Sequence, residues 1–169
     1  MQQIAQFFKV SEEQFVRDWC AATRRSADEA KKVYQNIQLP RRATKGSAGY
    51  DFESPISFEL KPGETIKIPT GIRAVIDENW VLKIYSRSSL GFKYRLWLDN
   101  LTGIIDSDYS NSDNEGHIFI KVTNNSLEDK IVRINRGDKF AQGIFVQYGT
   151  VIDDDAVEAR NGGFGSTNK

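Results

Sequence analysis

The chain has 169 residues, with 23 Lys and Arg balanced by 23 Asp and Glu, and a single cysteine. That length suffices for one domain with a sizeable core, and zero formal charge excludes a global field drawing nucleic acid or an anionic membrane surface. No stretch is apolar for long enough to span a bilayer, and one cysteine excludes an intrachain disulfide and fits a reducing, cytoplasmic setting.

The N-terminus has no basic region, apolar run and small-residue cleavage site in series, so no signal peptide is expected. Residues 1–36 read as helix. Ser11-Glu12-Glu13-Gln14 has the form of a capping box, and Phe15, Val16, Trp19 and Ala22 follow at helical spacing. Ser26-Ala27-Asp28-Glu29 repeats the start signal ahead of Ala30, Val33, Tyr34 and Ile37. Two short helices cannot bury their apolar faces unaided, so they dock on the body or on a protein partner. Six basic residues against five acidic ones leave little for phosphate contacts, which argues against a helix-turn-helix DNA reader. Cys20 sits in the helical pattern without a histidine nearby and reads as a packed thiol.

After Leu39-Pro40 the pattern changes to short strands. Residues 57–60, 65–68, 71–76, 80–85, 117–123, 130–134 and 140–148 carry β-branched and aromatic residues, several alternating with polar ones. Turn clusters separate them: Lys61-Pro62-Gly63-Glu64, Asp77-Glu78-Asn79, residues 110–115, Asn124-Asn125-Ser126 and Asn135-Arg136-Gly137-Asp138. Many short strands with regular turns predict a mainly-β sandwich or small barrel. The last residues, 161–169, are too Gly-rich to order themselves.

Five segments could carry chemistry. In Ala48-Gly49-Tyr50-Asp51 an acid follows small residues and an aromatic; it faces a metal-bound water or satisfies neighbouring backbone. Arg87-Ser88-Ser89-Leu90-Gly91 packs a guanidinium, hydroxyls and N–H groups into one turn, the donor set phosphate oxygens require, or a solvated turn with serine caps. In residues 98–109, Asp106 and Asp108 are spaced to share one face of an extended backbone. A carboxylate held among Ile104, Ile105 and Tyr109 suits a general base; an Asp-Ser-Asp turn ending a strand is the plainer account. Gly103 lets something approach the backbone closely. Gln142 lies in an apolar run and needs a partner, in the core or on a ligand. His117, the one histidine, lacks spaced co-ligands and reads as ordinary, so zinc chemistry is unsupported. In the Gly-rich tail, Arg160 and Phe164 could fold over a bound polyphosphate.

Taken in order, these segments resemble the five motifs of the trimeric dUTPase family. The matching words are Ala48-Gly49-Tyr50-Asp51, Arg87-Ser88-Ser89-Leu90-Gly91, Gly103-Ile104-Ile105-Asp106-Ser107-Asp108-Tyr109, Arg136-Gly137-Asp138-Lys139-Phe140-Ala141-Gln142 and Gly162-Gly163-Phe164-Gly165-Ser166-Thr167. The resemblance implies a jelly-roll-like β-barrel (a β-clip fold) over 37–159, an N-terminal helical extension over 1–36, and a C-terminal arm over 160–169. It implies homotrimers with shared active sites that hydrolyse dUTP to dUMP and pyrophosphate with Mg²⁺, limiting uracil in DNA and supplying dUMP for dTMP synthesis. On that resemblance Asp106 activates the attacking water. Asn100, Gly103, Ile104 and Ile105 belong to the hairpin that reads uracil, Tyr109 lies under the deoxyribose, and Phe119 closes the same pocket. Arg87, Ser88, Ser89 and Gln142 hold phosphate oxygens, and Asp51 meets Mg²⁺ through its waters. Arg160, Phe164, Gly165 and Ser166 close over the nucleotide. No membrane or direct nucleic-acid role is implied; a dCTP deaminase-like relative, or a dUTPase that also grips a protein partner, are the alternatives. Three features depart from the family pattern: residues 1–36, the lengthened turn at 110–115, and the short spacing from Arg160 to the Gly-Gly-Phe-Gly word.

Overall fold

The computed structural model describes residues 2–157. The predicted motif residues Arg160, Phe164, Gly165 and Ser166 lie outside the described residues. The chain runs through β1 (Ala5–Lys9), α1 (Glu12–Thr23), α2 (Ala27–Gln35), β2 (Arg41–Arg42), β3 (Tyr50–Glu53), β4 (Phe58–Leu60), β5 (Thr65–Pro69) and β6 (Ile72–Ile76). It continues through β7 (Trp80–Ser86), α3 (Ser88–Tyr94), β8 (Leu96–Leu98), β9 (Gly103–Ile105), β10 (Phe119–Asn124), β11 (Val132–Ile134) and β12 (Lys139–Gln147). The strands form a five-stranded sheet in the order β2-β3-β12-β7-β9, a three-stranded sheet β5-β10-β8, and the pairs β1-β6 and β11-β4. Every ladder is antiparallel, and the fold is mainly β and jelly-roll-like. Phe52, Ile68, Leu82, Ile84, Leu96, Ile118, Ile120, Val122 and Phe140 are buried in its core. Among the described residues no helix is long and apolar enough to cross a membrane.

The first 36 residues are not all helix. Ala5–Lys9 pairs with Ile72–Ile76 in full register, so the barrel begins before the helices do. Its period of two is visible in burial, with Phe7 at 8% exposure and its neighbour Phe8 at 40%. Five residues, Ala5-Gln6-Phe7-Phe8-Lys9, are too few for periodicity to separate strand from helix. The two helix starts stand as predicted: Ser11 accepts from Gln14 N at 3.1 Å and Ser26 from Glu29 N at 3.2 Å. The second half of the first capping box is not made. Gln14 turns to Asp18 and Arg17, and the Ser11 N–H goes to Glu115 at 2.8 Å. Of the two destinations open to the helices, the body is the one observed. Phe15, Trp19 and Ala30 are fully buried in the common core, and Cys20 packs partly buried against it.

Two carboxylates tie α1 to the far side of the chain, Asp18 to His117 and Glu115 to Ser11. Burial alone would raise both pKa values. The hydrogen bonds from His117 and Gln14, and from Ser11, outweigh it and hold both carboxyls below their ordinary range. A carboxylate with a lower pKa folded than unfolded stabilises the fold above its unfolded value and loses that contribution as pH falls through the folded one. Acidification below about pH 4 should therefore loosen α1 ahead of the sheet. Hydrogen exchange read by mass spectrometry should show 12–23 losing protection before 139–147; simultaneous loss would reject this order.

Candidate active site

The stretch from Leu98 to Ile105 does not form a paired hairpin. β8 pairs with β10 and β9 with β7, so residues 99–102 cross from one sheet to the other as an arch. The turn is held by Leu101 N to Leu98 O at 2.9 Å, and Leu101 adopts φ +60°, an unusual region for a residue with a side chain. Under the arch lies a cavity of about 510 Å³. Asn100, Gly103, Ile104, Ile105, Tyr109 and Phe119 line it, which brings together six residues predicted for the base and sugar. The close approach anticipated at Gly103 comes from within the chain: a Cβ there would stand 3.2 Å from Ile84 Cβ on β7. Gly103→Ala should push β9 off β7 and lower stability by about 1–2 kcal/mol, the scale of overpacking, measured as a shift in urea midpoint.

Asp106 follows β9 directly and its carbonyl accepts from Tyr109 N at 3.1 Å, which starts a short 3₁₀ turn over Ser107–Asn111. The extended backbone that would align Asp106 with Asp108 therefore stops at Asp106, and the two acids do not share a strand face. Tyr109 is buried at 6% exposure, its hydroxyl donating to His117 O at 2.9 Å and accepting from Asn114 Nδ2 at 3.0 Å. His117 is far from ordinary: it is fully buried, bonded at both ring nitrogens, and packed against Phe119 with ring centroids 4.6 Å apart and planes tilted by 41°.

A second cluster forms at the ends of β3, β7 and β12. Asp51, 8% exposed, pairs with Arg87 Nε at 3.1 Å and Lys139 Nζ at 3.0 Å. Gln142 stands opposite both Asp51 and Tyr85 in the ladders, and its Nε2 donates to Ser86 O at 3.4 Å. Gly49 leaves room for that side chain, since a Cβ there would meet Gln142 Oε1 at 2.8 Å. Arg87 is the N-cap of α3, and Ser88 and Ser89 are its exposed first residues, so the predicted turn is the start of a helix. N–H groups in the first turn of a helix have no intrahelical acceptor. Ser, Gly, Phe and Tyr are weak helix formers, so α3 has no helical signal in its own residues.

Within one chain the two clusters are apart. β3 and β9 are separated by β12 and β7, so Asp51 and the Gly103 backbone lie about 14 Å from one another across the sheet. Neither Asp106 nor any member of the Asp51 cluster lines the cavity.

A family model described as dUTPase matches residues 35–168. The chain belongs to the dUTPase family. It is 44% identical over 140 residues to the deoxyuridine 5'-triphosphate nucleotidohydrolase of Lactococcus lactis, covering 79% of this chain and 91% of that one. With the same enzyme of Haemophilus influenzae it shares 39% over 146 residues, covering 82% and 92%. The Streptococcus mutans dUTPase structure superposes with a TM-score of 0.60 at 36% identity, over 69% of this chain and 90% of that one. The dUTPase of phage phi11 of S. aureus, at 24% identity and a TM-score of 0.64, shares the fold over 92% of this chain and 97% of its own.

Beyond the dUTPase words the structure brings Lys67, Asp99 and Lys121 to the cavity wall. Lys67 and Lys121 are direct cross-strand partners, a like-charge pairing that destabilises a bare ladder. Asp99 offsets it by accepting from Lys121 Nζ at 2.6 Å and from the Thr123 hydroxyl. Burial raises the Asp99 carboxyl, but these two donors hold it below its ordinary value. Lys67 also lies over the Phe119 ring, 4.5 Å from its centroid. The sequence signal was faint: lysines at alternate positions of two strands whose register could not be read.

Proposed function

We propose that this dUTPase-family chain hydrolyses dUTP to dUMP and pyrophosphate, with uracil and deoxyribose in the cavity under the 99–102 arch. The observation that carries the reading is the wall of that cavity. It joins two aromatic rings, Tyr109 and Phe119, to the strand backbone of Gly103–Ile105, apolar faces for a base and sugar beside polar main chain. The ring of Tyr109 backs the sugar and leaves no room for a 2'-hydroxyl. Asp106, at the end of the same strand, takes a proton from water as its oxygen bonds the α-phosphorus; the bond from that phosphorus to the bridging oxygen breaks, and pyrophosphate leaves with the electron pair. Arg87, Ser88, Ser89 and Gln142 hold phosphate oxygens and neutralise charge, with Arg160, Phe164, Gly165 and Ser166 closing over the nucleotide.

Mg²⁺ is the proposed cofactor. Among the described residues no group of three or more His, Cys, Asp and Glu is arranged to hold a metal ion by itself. A lone carboxylate, Asp51, beside two cations suits an ion carried mainly by the triphosphate and its own waters, with Asp51 facing that water shell. Such an ion supplies charge neutralisation at the phosphates.

The working unit in this proposal is a homotrimer with shared sites. Its support is the separation of the Asp51 cluster from the cavity, which one chain does not close, together with exposed Phe92, Leu101 and Ile104 beside the two half-sites. The cell compartment proposed is the cytoplasm. A protein partner for residues 1–36 has only their outward faces to use, since Phe15 and Trp19 belong to the core and β1 to the barrel. Deleting those residues would remove β1 and core side chains from the fold, so substitutions on the outward faces are the fair test of such a partner.

Incubation with dUTP, dTTP, UTP and dCTP tests the reading. Pyrophosphate release confined to dUTP is expected; ammonia release from dCTP would replace it with a deaminase.

A further inference from the structure

We infer that Asp18, on a helix preceding the family-matched part of the chain, is a positioning residue for the nucleoside cavity, holding Tyr109 and Phe119 through His117. The inference rests on the cavity being the nucleoside site proposed above.

His117 is fully buried, so both ring nitrogens need partners inside the protein. Nε2 accepts the Gly71 N–H at 2.8 Å, which leaves the proton on Nδ1; that proton goes to Asp18 Oδ2 at 2.6 Å. Fixed at both nitrogens, the ring cannot turn without stranding a buried donor or acceptor. His117 then touches both cavity aromatics by different atoms. Its ring lies against Phe119, and its carbonyl accepts the Tyr109 hydroxyl.

Helix α1 holds the same loop a second time. Ser11 donates its N–H and hydroxyl to Glu115 at 2.8 and 2.6 Å, and Asn114, next in the loop, donates to the Tyr109 hydroxyl. Ser11 and Asp18 are seven residues apart, two turns, and so face the loop from one side of the helix. Arg73 on β6 steadies the loop's other end by donating to Ser110 O at 2.7 Å. Two of the features that depart from the family pattern, the N-terminal helices and the lengthened turn at 110–115, are thus each other's partners. The longer loop needs an anchor, and α1 supplies it behind the wall that faces the sugar.

The test uses the full chain with Asp18→Ala, Asp18→Asn and, on the exposed link, Glu115→Gln. For Asp18→Ala the KM for dUTP should rise roughly tenfold, the scale of a lost charged hydrogen bond, with kcat within about twofold of the parent. Preference for dUTP over UTP should fall, because the Tyr109 ring is the part that rejects the 2'-hydroxyl. Asp18→Asn, which still accepts from Nδ1, should restore part of both, and Glu115→Gln should shift both in the same direction by less. Unchanged KM and unchanged dUTP preference, whatever the melting temperature, would overturn the inference. If Asp18→Ala does not fold, the same result for Glu115→Gln overturns it. A parent chain inactive on dUTP would instead sink the proposed function. The positioning role then stands or falls on NMR: ring signals of Tyr109 and Phe119 should broaden in Asp18→Asn, and unaltered signals would reject it.

Discussion

Asp106→Asn should bind dUTP nearly as tightly as the parent and hydrolyse it at least about a hundredfold more slowly, the scale of a lost general base. The side chain is set between a strand and a turn. Ile105 before it pairs with Leu82 on β7, and the Asp106 carbonyl accepts from Tyr109 N to begin the 3₁₀ turn. Both constraints act through the backbone, so asparagine keeps them while removing the carboxylate that accepts the proton. Calorimetric binding of dUTP without metal, beside single-turnover hydrolysis with Mg²⁺, separates affinity from chemistry. Asp108→Asn is the control, because the turn takes Asp108 off the strand face that ends at Asp106. Unchanged turnover in Asp106→Asn, or an equal loss in Asp108→Asn, would reject the assignment.

Arg87→Ala should reduce kcat/KM by roughly 10²–10³-fold, the cost of removing one fixed donor from a site of developing negative charge. The guanidinium has two jobs in the folded chain. It offers donors outward, and its Nε satisfies Asp51, which is 8% exposed and would otherwise be left with Lys139 alone. Arg87→Lys should recover little, because an ammonium lacks the planar fork. This variant also tests the shared site. Asp106→Asn and Arg87→Ala, unfolded, mixed in equal amounts and refolded together, should regain activity near a quarter of the parent's if Asp106 and Arg87 come from different subunits. Two inactive variants that stay inactive together, in mixed trimers verified by mass, would put both residues in one subunit's site and remove the sharing argument.

The legible parts of this chain were those with local causes. Ser11 and Ser26 announced two helix starts because an N-cap is decided within three residues, and both caps formed. The strands at 65–69, 72–76 and 80–86 were visible because alternation and turn residues mark them. The strands at 50–53 and 96–98 escaped, four and three residues being too few to establish a period, whereas the equally short 58–60 and 132–134 were marked by the turn clusters beside them. The candidate site divides in the same way. The order of the motif words pointed to Asp51, Arg87, Asp106, Tyr109 and Gln142. Nothing in that order told that Lys139 would join Asp51, or that Lys67 and Lys121 would face each other across a ladder.

By itself the sequence determined the mainly-β class, the two helix starts, the turns and the residue types able to hold a nucleoside triphosphate. Tertiary structure alone decided that β1 belongs to the barrel, that the 99–102 segment is an arch between sheets, and that Asp18 and His117 meet 99 residues apart. The physical reason is range. Caps, turns and alternation are settled by neighbours along the chain, whereas a buried polar pair or a cavity wall exists only once distant strands share a register.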